Sequence, residues 1–195
     1  ALAAAAAALP AGGAMFLASS MTIRYADSCL PRHSRPVRVL ANRGANGIDG
    51  LISTALGAAV ASDAPLLLAV GDLAFLHDLG GLYAARHARR PVVILLLNDD
   101  GGGIFSYLAV GRHPDLAEPL CAAPHGLTFE EAARLFGLGY SRCAAAADVA
   151  REAAAAFRLG GVHLLEVPSR RADTEPRYRD LLAAMAAACI PLEAP

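Results

Sequence analysis

Two short apolar runs, 66–70 and 92–97, are bounded by turn residues and lack the spacing of an amphipathic helix. Unbroken apolarity over so few positions predicts strands buried on both faces, as in a parallel sheet. Weaker runs at 14–17, 37–40 and 163–167 read as further strands. Helices are predicted at 1–9, which Pro10 and Gly12-Gly13 end, and at 50–61, whose small residues suit close packing against a sheet. Others follow at 79–89, 148–158 and 177–188. Thr128 stands three residues before Glu131, the capping-box pattern, ahead of a helix that Gly137 ends. Strand and helix therefore alternate, and the expected fold is one α/β domain with an open, mostly parallel sheet and helices on both faces. The irregular stretch 108–124 is long for a connection inside a compact domain and suggests a loop that covers a site.

Composition narrows the classes. A chain of 195 residues suits one such domain. A net charge of −1, with residues 86–90 as the only local basic cluster, gives no footprint for nucleic acid. That cluster reads as a helix C-terminus, where cations are favoured, stopped by Pro91. Cys29, Cys121, Cys143 and Cys189 are too widely spaced for a zinc or disulfide framework, which suits a reducing compartment. Asp63 and Pro65 interrupt the longest apolar stretch, so no membrane span is expected. The chain starts at Ala1 rather than at a methionine, and the expectation is a piece cut from something longer.

The chemistry gathers where the two strongest strands end. Gly71-Asp72-Leu73 follows the first, and Asn98-Asp99-Asp100-Gly101-Gly102-Gly103 follows the second. Ligands of open α/β sheets bind beyond the strands' carboxyl ends, and glycines there let backbone amides approach a phosphate. Magnesium takes six oxygens, often only a few of them from protein. Asp72, Asp99 and a carbonyl near Gly101 would supply such a partial set, with diphosphate completing it. Taken singly, an Asp after a strand is more often a turn residue or a helix cap than a metal ligand. Two of them, 99 − 72 = 27 residues apart, leave room for a crossover helix between neighbouring parallel strands.

Gly-Asp, a crossover and then Asn-Asp-Asp-Gly resembles the thiamine-diphosphate motif of the pyruvate decarboxylase and acetolactate synthase superfamily. Ser19 to Arg24, Asn42-Arg43-Gly44-Ala45-Asn46-Gly47-Ile48-Asp49-Gly50, Gly101 to Ser106 and Pro124-His125-Gly126-Leu127 together resemble the 2-succinyl-5-enolpyruvyl-6-hydroxy-3-cyclohexene-1-carboxylate synthase family of menaquinone and phylloquinone biosynthesis. The resemblance covers nearly the whole chain. It implies thiamine diphosphate with Mg2+ (or Mn2+) as cofactors, and Asp72, Asp99 and the Gly101 carbonyl as metal ligands. The family usually has Asn where Asp99 stands, and the added charge could tighten magnesium while repelling diphosphate.

By the same resemblance, Ile48 is the apolar wedge that bends the cofactor, Ile104, Phe105 and Leu108 wall its thiazolium, and Leu73 and Gly102 join the cofactor contacts. Ser20, Arg24 and Arg43 match substrate-binding positions. Their chemistry agrees, because the family's substrates, isochorismate and 2-oxoglutarate, carry carboxylates that arginine's planar fork binds. Asp49 and Asp78 read as helix-start or structural groups. His125 reads either as a residue shaping the site or as an ordinary turn histidine. No Ser/His/Asp arrangement points to nucleophilic catalysis.

The resemblance further implies that the glutamate activating the cofactor lies on a separate pyrimidine-binding domain, commonly of a second subunit. The intact protein would then be a homo-oligomer, and this chain alone would be inactive, with no catalytic residue of its own. Another thiamine-diphosphate lyase or decarboxylase and a non-catalytic scaffold of the same fold remain as alternatives. A bacterial cytoplasm and a plastid stroma both suit a quinone-pathway enzyme.

Overall fold

The computed structural model describes residues 1–31, 36–42 and 47–188. Its framework is a six-stranded, wholly parallel sheet with strand order β2-β1-β3-β4-β6-β5. The strands are β1 (Ala14–Leu17), β2 (Arg38–Leu40), β3 (Leu66–Gly71), β4 (Val92–Asn98), β5 (Gly139–Arg142) and β6 (Val162–Pro168). The helices are α1 (Leu2–Ala8), α2 (Met21–Cys29), α3 (Leu51–Ser62), α4 (Asp72–His77), α5 (Pro114–Ala117), α6 (Glu130–Leu135), α7 (Ala146–Leu159) and α8 (Arg171–Ala188).

The apolar runs of β3 and β4 are continuous because each strand feeds two cores. Side chains alternate across a strand. Leu66, Leu68, Val70, Ile94 and Leu96 therefore meet α3 and α6 through Leu51, Ile52, Leu56 and Ala133. Leu67, Ala69, Val93 and Leu95 point the other way, against Leu2 and Ala5 of α1 and Val149, Ala153 and Phe157 of α7. Alanines on α1 and α7 keep that layer thin, and Ala5 and Ala153 are fully buried.

Several elements depart from the sequence expectation. A 3-10 helix, Leu79–His87, occupies most of the span expected as the crossover helix, and α4 begins directly at Asp72. Neither α2 nor β5 follows from periodicity, since α2 carries polar residues through its middle and β5 is a short, partly exposed edge strand. The capping box does not form: Phe129 is the N-cap residue of α6, and no side chain caps it. Instead the Phe129 amide donates to the Glu166 carboxylate on β6 at 3.0 Å. Finally, α8 starts at Arg171 rather than near residue 177 and tolerates Pro176 inside it.

Candidate functional site

The strand order reverses direction between β1 and β3, so the chain segments that leave these strands diverge and open a crevice at their carboxyl ends. A cavity of about 560 Å³ lies there. The β1–α2 turn contributes Ser19 and Ser20, α2 contributes Tyr25, the β3–α4 junction contributes Gly71, Asp72 and Leu73, and the loop after β4 contributes Asp99 and Gly101 to Phe105. Ile48 enters from before α3, and Thr174, Arg177, Tyr178 and Leu181 close the far side from α8. Tyr178 is held there by edge-on contacts to Tyr25 and Tyr107, with ring centroids 5.0 and 5.7 Å away. Ser28 Oγ lies 2.9 Å from its hydroxyl, which donates to the Arg24 carbonyl.

Asp72 occupies the first position of α4 and is almost fully buried. Its Oδ1 accepts the Leu73 amide at 2.6 Å, and its Oδ2 accepts the Gly101 amide at 2.8 Å. The first loop is thus tied to the second. His125 adds a further donor, with Nε2 3.2 Å from Asp72 Oδ2. The Leu127 amide donates to His125 Nδ1 at 3.0 Å, which leaves the ring proton on Nε2, facing the carboxylate. Of the two readings of His125, the structure therefore supports the one in which it shapes the site.

The loop after β4 turns sharply, with φ of +62° at Asp100 and +128° at Gly101. A Cβ on Gly101 would collide with the Ala122 carbonyl and fall 2.6 Å from Arg171 Nη1, so only glycine fits. Asp100 faces away from the cavity and binds the loop's support, its Oδ1 accepting the amides of His125 at 2.9 Å and Gly126 at 2.7 Å. Those two donors hold its carboxyl below the usual range. The Gly102 amide donates to the Ala122 carbonyl at 2.6 Å. Stretch 108–124, expected to cover the site, supplies none of the cavity's lining, and its Ala122 carbonyl instead braces the glycine loop from behind.

Behind Asp99 sits a buried polar knot. Asn98 Nδ2 donates to Glu166 Oε1 at 2.7 Å and to the Leu127 carbonyl at 3.0 Å. Glu166 Oε2 also accepts the Phe129 amide and, at 2.8 Å, the Tyr140 hydroxyl. Sequence reasoning missed this knot, although an acid inside the apolar Leu164-Leu165-Glu166-Val167 run was a readable signal.

Electrostatics single out Asp99. Burial, reinforced by the charge of Asp72, pushes its carboxyl up to about 7, with Arg171 opposing the rise. Two carboxylates facing one cavity suit a hard divalent ion. Among the described residues no group of three or more His, Cys, Asp or Glu side chains could hold a metal, so protein would supply only part of a shell. Ser19 Oγ, at the cavity wall, is buried without a hydrogen-bond partner among the described residues.

The cavity brings together Ser20, Ile48, Asp72, Leu73, Asp99, Gly101, Gly102, Ile104 and Phe105. Leu108 lies outside that lining: it follows the 3-10 turn Gly103–Tyr107 and is half exposed in a separate polar groove. Arg24 lies outside the lining, its Nη1 folded onto the Ser20 carbonyl at 2.6 Å. Arg43 lies outside the described residues. Asp78 is structural, its two oxygens accepting the Ser53 amide and hydroxyl at the start of α3. No described helix is long and apolar enough to cross a membrane.

The chain resembles known proteins at every level of comparison. It is 46% identical over 171 residues to 2-succinyl-5-enolpyruvyl-6-hydroxy-3-cyclohexene-1-carboxylate synthase of Geobacillus kaustophilus, a match covering 88% of this chain and 30% of that protein. The enzyme of the same name from Chloroflexus aurantiacus is 47% identical over 163 residues, covering 84% and 28% respectively. This chain thus spans about 30% of the length of the curated relatives it matches. Among solved structures, benzoylformate decarboxylase from Polynucleobacter necessarius superposes with a TM-score of 0.69 at 15% identity, over 87% of this chain and 32% of that one, which supports the fold alone. Residues 22–167 match the family described as thiamine pyrophosphate enzyme, C-terminal TPP binding domain, and to that family this chain belongs.

Proposed function

We propose that this chain is the cofactor-holding domain of a 2-succinyl-5-enolpyruvyl-6-hydroxy-3-cyclohexene-1-carboxylate synthase, which joins a succinyl unit from 2-oxoglutarate to isochorismate. The observation that carries this reading is the placement of Asp72 and Asp99 at the ends of adjacent strands, with the glycine loop between them and a large cavity in front, in a chain 46% identical to an enzyme of that name. Asp72, Asp99 and the Gly101 carbonyl would hold Mg2+, with diphosphate oxygens completing its shell. When bound, thiamine diphosphate supplies the electron sink that lets a 2-oxo acid lose carbon dioxide and pass on its acyl unit. The chain's own side chains position and shield. Ile48, Ile104 and Phe105 present apolar surface that keeps water from the reacting region, where charge interactions gain strength.

Ser20 at the rim would contact substrate. The Arg24 guanidinium, one helical turn away, could exchange the Ser20 carbonyl for a substrate carboxylate, and Arg43 would bind the second acid. A pyrimidine-binding domain bearing the activating glutamate would complete the site, commonly across a homo-oligomer interface, so the 195-residue chain alone is expected to bind without turnover. The named relatives are bacterial, which supports a bacterial cytoplasm over a plastid stroma.

Calorimetric titration with thiamine diphosphate, with and without Mg2+, tests the site. Metal-dependent binding that Asp72→Ala abolishes is expected, and binding that ignores both metal and Asp72 would remove the reading. The reaction itself is tested by product formation from isochorismate and 2-oxoglutarate in the full-length protein. Turnover of other 2-oxo acids, with none of this pair, would assign it to another lyase or decarboxylase.

A further inference from the structure

Arg171 opens α8 but contributes nothing to the cavity wall; it lines a neighbouring polar groove on the far side of the glycine loop. Its side chain is only 12% exposed. Nη1 donates to the main-chain carbonyl of Asp99 at 3.2 Å, and Nη2 donates to Glu118 Oε2 at 2.7 Å. Nε is buried with no partner among the described residues. The same Nη1 occupies the space that a side chain on Gly101 would need.

One guanidinium thus joins α8, the turn after β4 and the segment Glu118–Ala122, whose last carbonyl accepts the Gly102 amide. Stability alone gives this arrangement a weak rationale. An arginine buried with an unmet donor gains little over an apolar residue of similar volume. What the placement does achieve is geometric. The Asp99 carbonyl is the last fixed point before the backbone enters two successive left-handed residues, and a planar fork with separate acceptors fixes both sides of that turn at once.

We infer that Arg171 is a positioning residue for the metal and diphosphate loop, pinning the Asp99 carbonyl and, through Glu118, the segment behind it, so that the loop is ordered before a cation arrives. The inference rests on the proposed function for the identity of the ligand. Arg171 touches neither cofactor nor substrate in this role. Its loss would move the cost of ordering the loop into the binding step, lowering metal affinity while leaving the chemistry intact once the site is saturated.

The test uses the full-length protein with Arg171→Met, Arg171→Lys and Glu118→Gln. Half-saturation by Mg2+ in the presence of thiamine diphosphate is read by calorimetry, and amide hydrogen exchange at Gly101 and Gly102 is read in the metal-free protein. Arg171→Met is expected to raise the Mg2+ requirement about 10- to 100-fold, the range typical of lost outer-shell partners, with kcat at saturating metal little changed. Arg171→Lys should fall between, because a point charge cannot bridge both acceptors. Exchange should quicken at Gly101 and Gly102 while β4 amides keep their protection.

An unchanged Mg2+ requirement in Arg171→Met overturns the inference, and so does an equal loss of protection throughout β4, which would mark general destabilisation. If Arg171→Met does not fold, unaltered Mg2+ requirements in both Arg171→Lys and Glu118→Gln overturn it instead. If the unaltered protein binds no thiamine diphosphate with Mg2+, the functional reading fails, while metal-free exchange at the loop amides still decides the role of Arg171.

Discussion

Replacing Glu166 by leucine removes an acceptor shared by the end of β4, by β5 and by the entrance of α6. The carboxylate is fully buried and takes bonds from Asn98 Nδ2 at 2.7 Å, the Tyr140 hydroxyl at 2.8 Å and the Phe129 amide at 3.0 Å. Burial and the bond to Glu166 raise the Tyr140 hydroxyl well above its ordinary value, so it remains a donor at any working pH. Leucine matches the apolar neighbours but leaves all three donors behind. Each buried donor without an acceptor costs about 1–3 kcal/mol, and losses within one network do not add fully, so about 4 kcal/mol is expected. For a domain of this size that corresponds to about 8–16 °C in Tm. Urea and thermal unfolding of the variant would measure it, with Tyr140→Phe, expected to cost about 1 kcal/mol, as the second arm of a double-mutant cycle. A Glu166→Leu loss below about 1 kcal/mol, within the range of unremarkable substitutions, would refute the view that this knot sets the end of β4.

Asp99→Asn should change the pH dependence of the metal-free protein. With the carboxyl raised from 3.8 to about 7, the folded form binds the proton more tightly than the unfolded one. The resulting destabilisation is absent below the unfolded value, grows as pH rises, and is complete above about 7, where it reaches at most about 4 kcal/mol. Asparagine should therefore stabilise the metal-free protein at pH 8 more than at pH 5, and equal effects at both would contradict the burial of this acid. In the unaltered protein, Mg2+ affinity should fall as pH drops below about 7, and Asp99→Asn should flatten that profile in calorimetric titrations. Gly101→Ala forces a side chain into the Ala122 carbonyl at a φ of +128°; it should cost more than about 2 kcal/mol and abolish metal-dependent binding, checked by thermal unfolding and titration. Asp78→Ala removes the acceptor at the start of α3 and should cost about 1–2 kcal/mol in urea unfolding, leaving binding unchanged.

What the sequence reveals and conceals has physical causes. The buried strands were legible because both faces of β3 and β4 are covered, which forces nearly every position to be apolar. Asp72 was legible because an acid directly after such a strand stands out. Its place in the first turn of α4 was not, since glycine followed by aspartate reads equally well as a loop. The capping box at Thr128 misled because a carboxylate from β6, distant in sequence, satisfies the Phe129 amide that marks the helix entrance. The place of Leu108 outside the cavity lining was not legible, because it depends on the tight 3-10 turn before it. Arg171 and His125 act through contacts 72 and 53 residues away in the chain, and local pattern does not encode such pairings.

Register makes one further point about the sheet. β3 and β4 pair from Leu66 with Val92 through to Gly71 with Leu97, so the spacing between Asp72 and Asp99 is set by strand alignment and not by the chain that connects them. The crossover from Asp78 to Pro91 returns the chain to the amino-terminal end of the sheet before β4 begins. Substitution of an exposed residue there, such as Tyr83, should therefore leave the two carboxylates undisturbed. A single residue added inside either strand would instead exchange its inward and outward faces and carry the acid away from its neighbour.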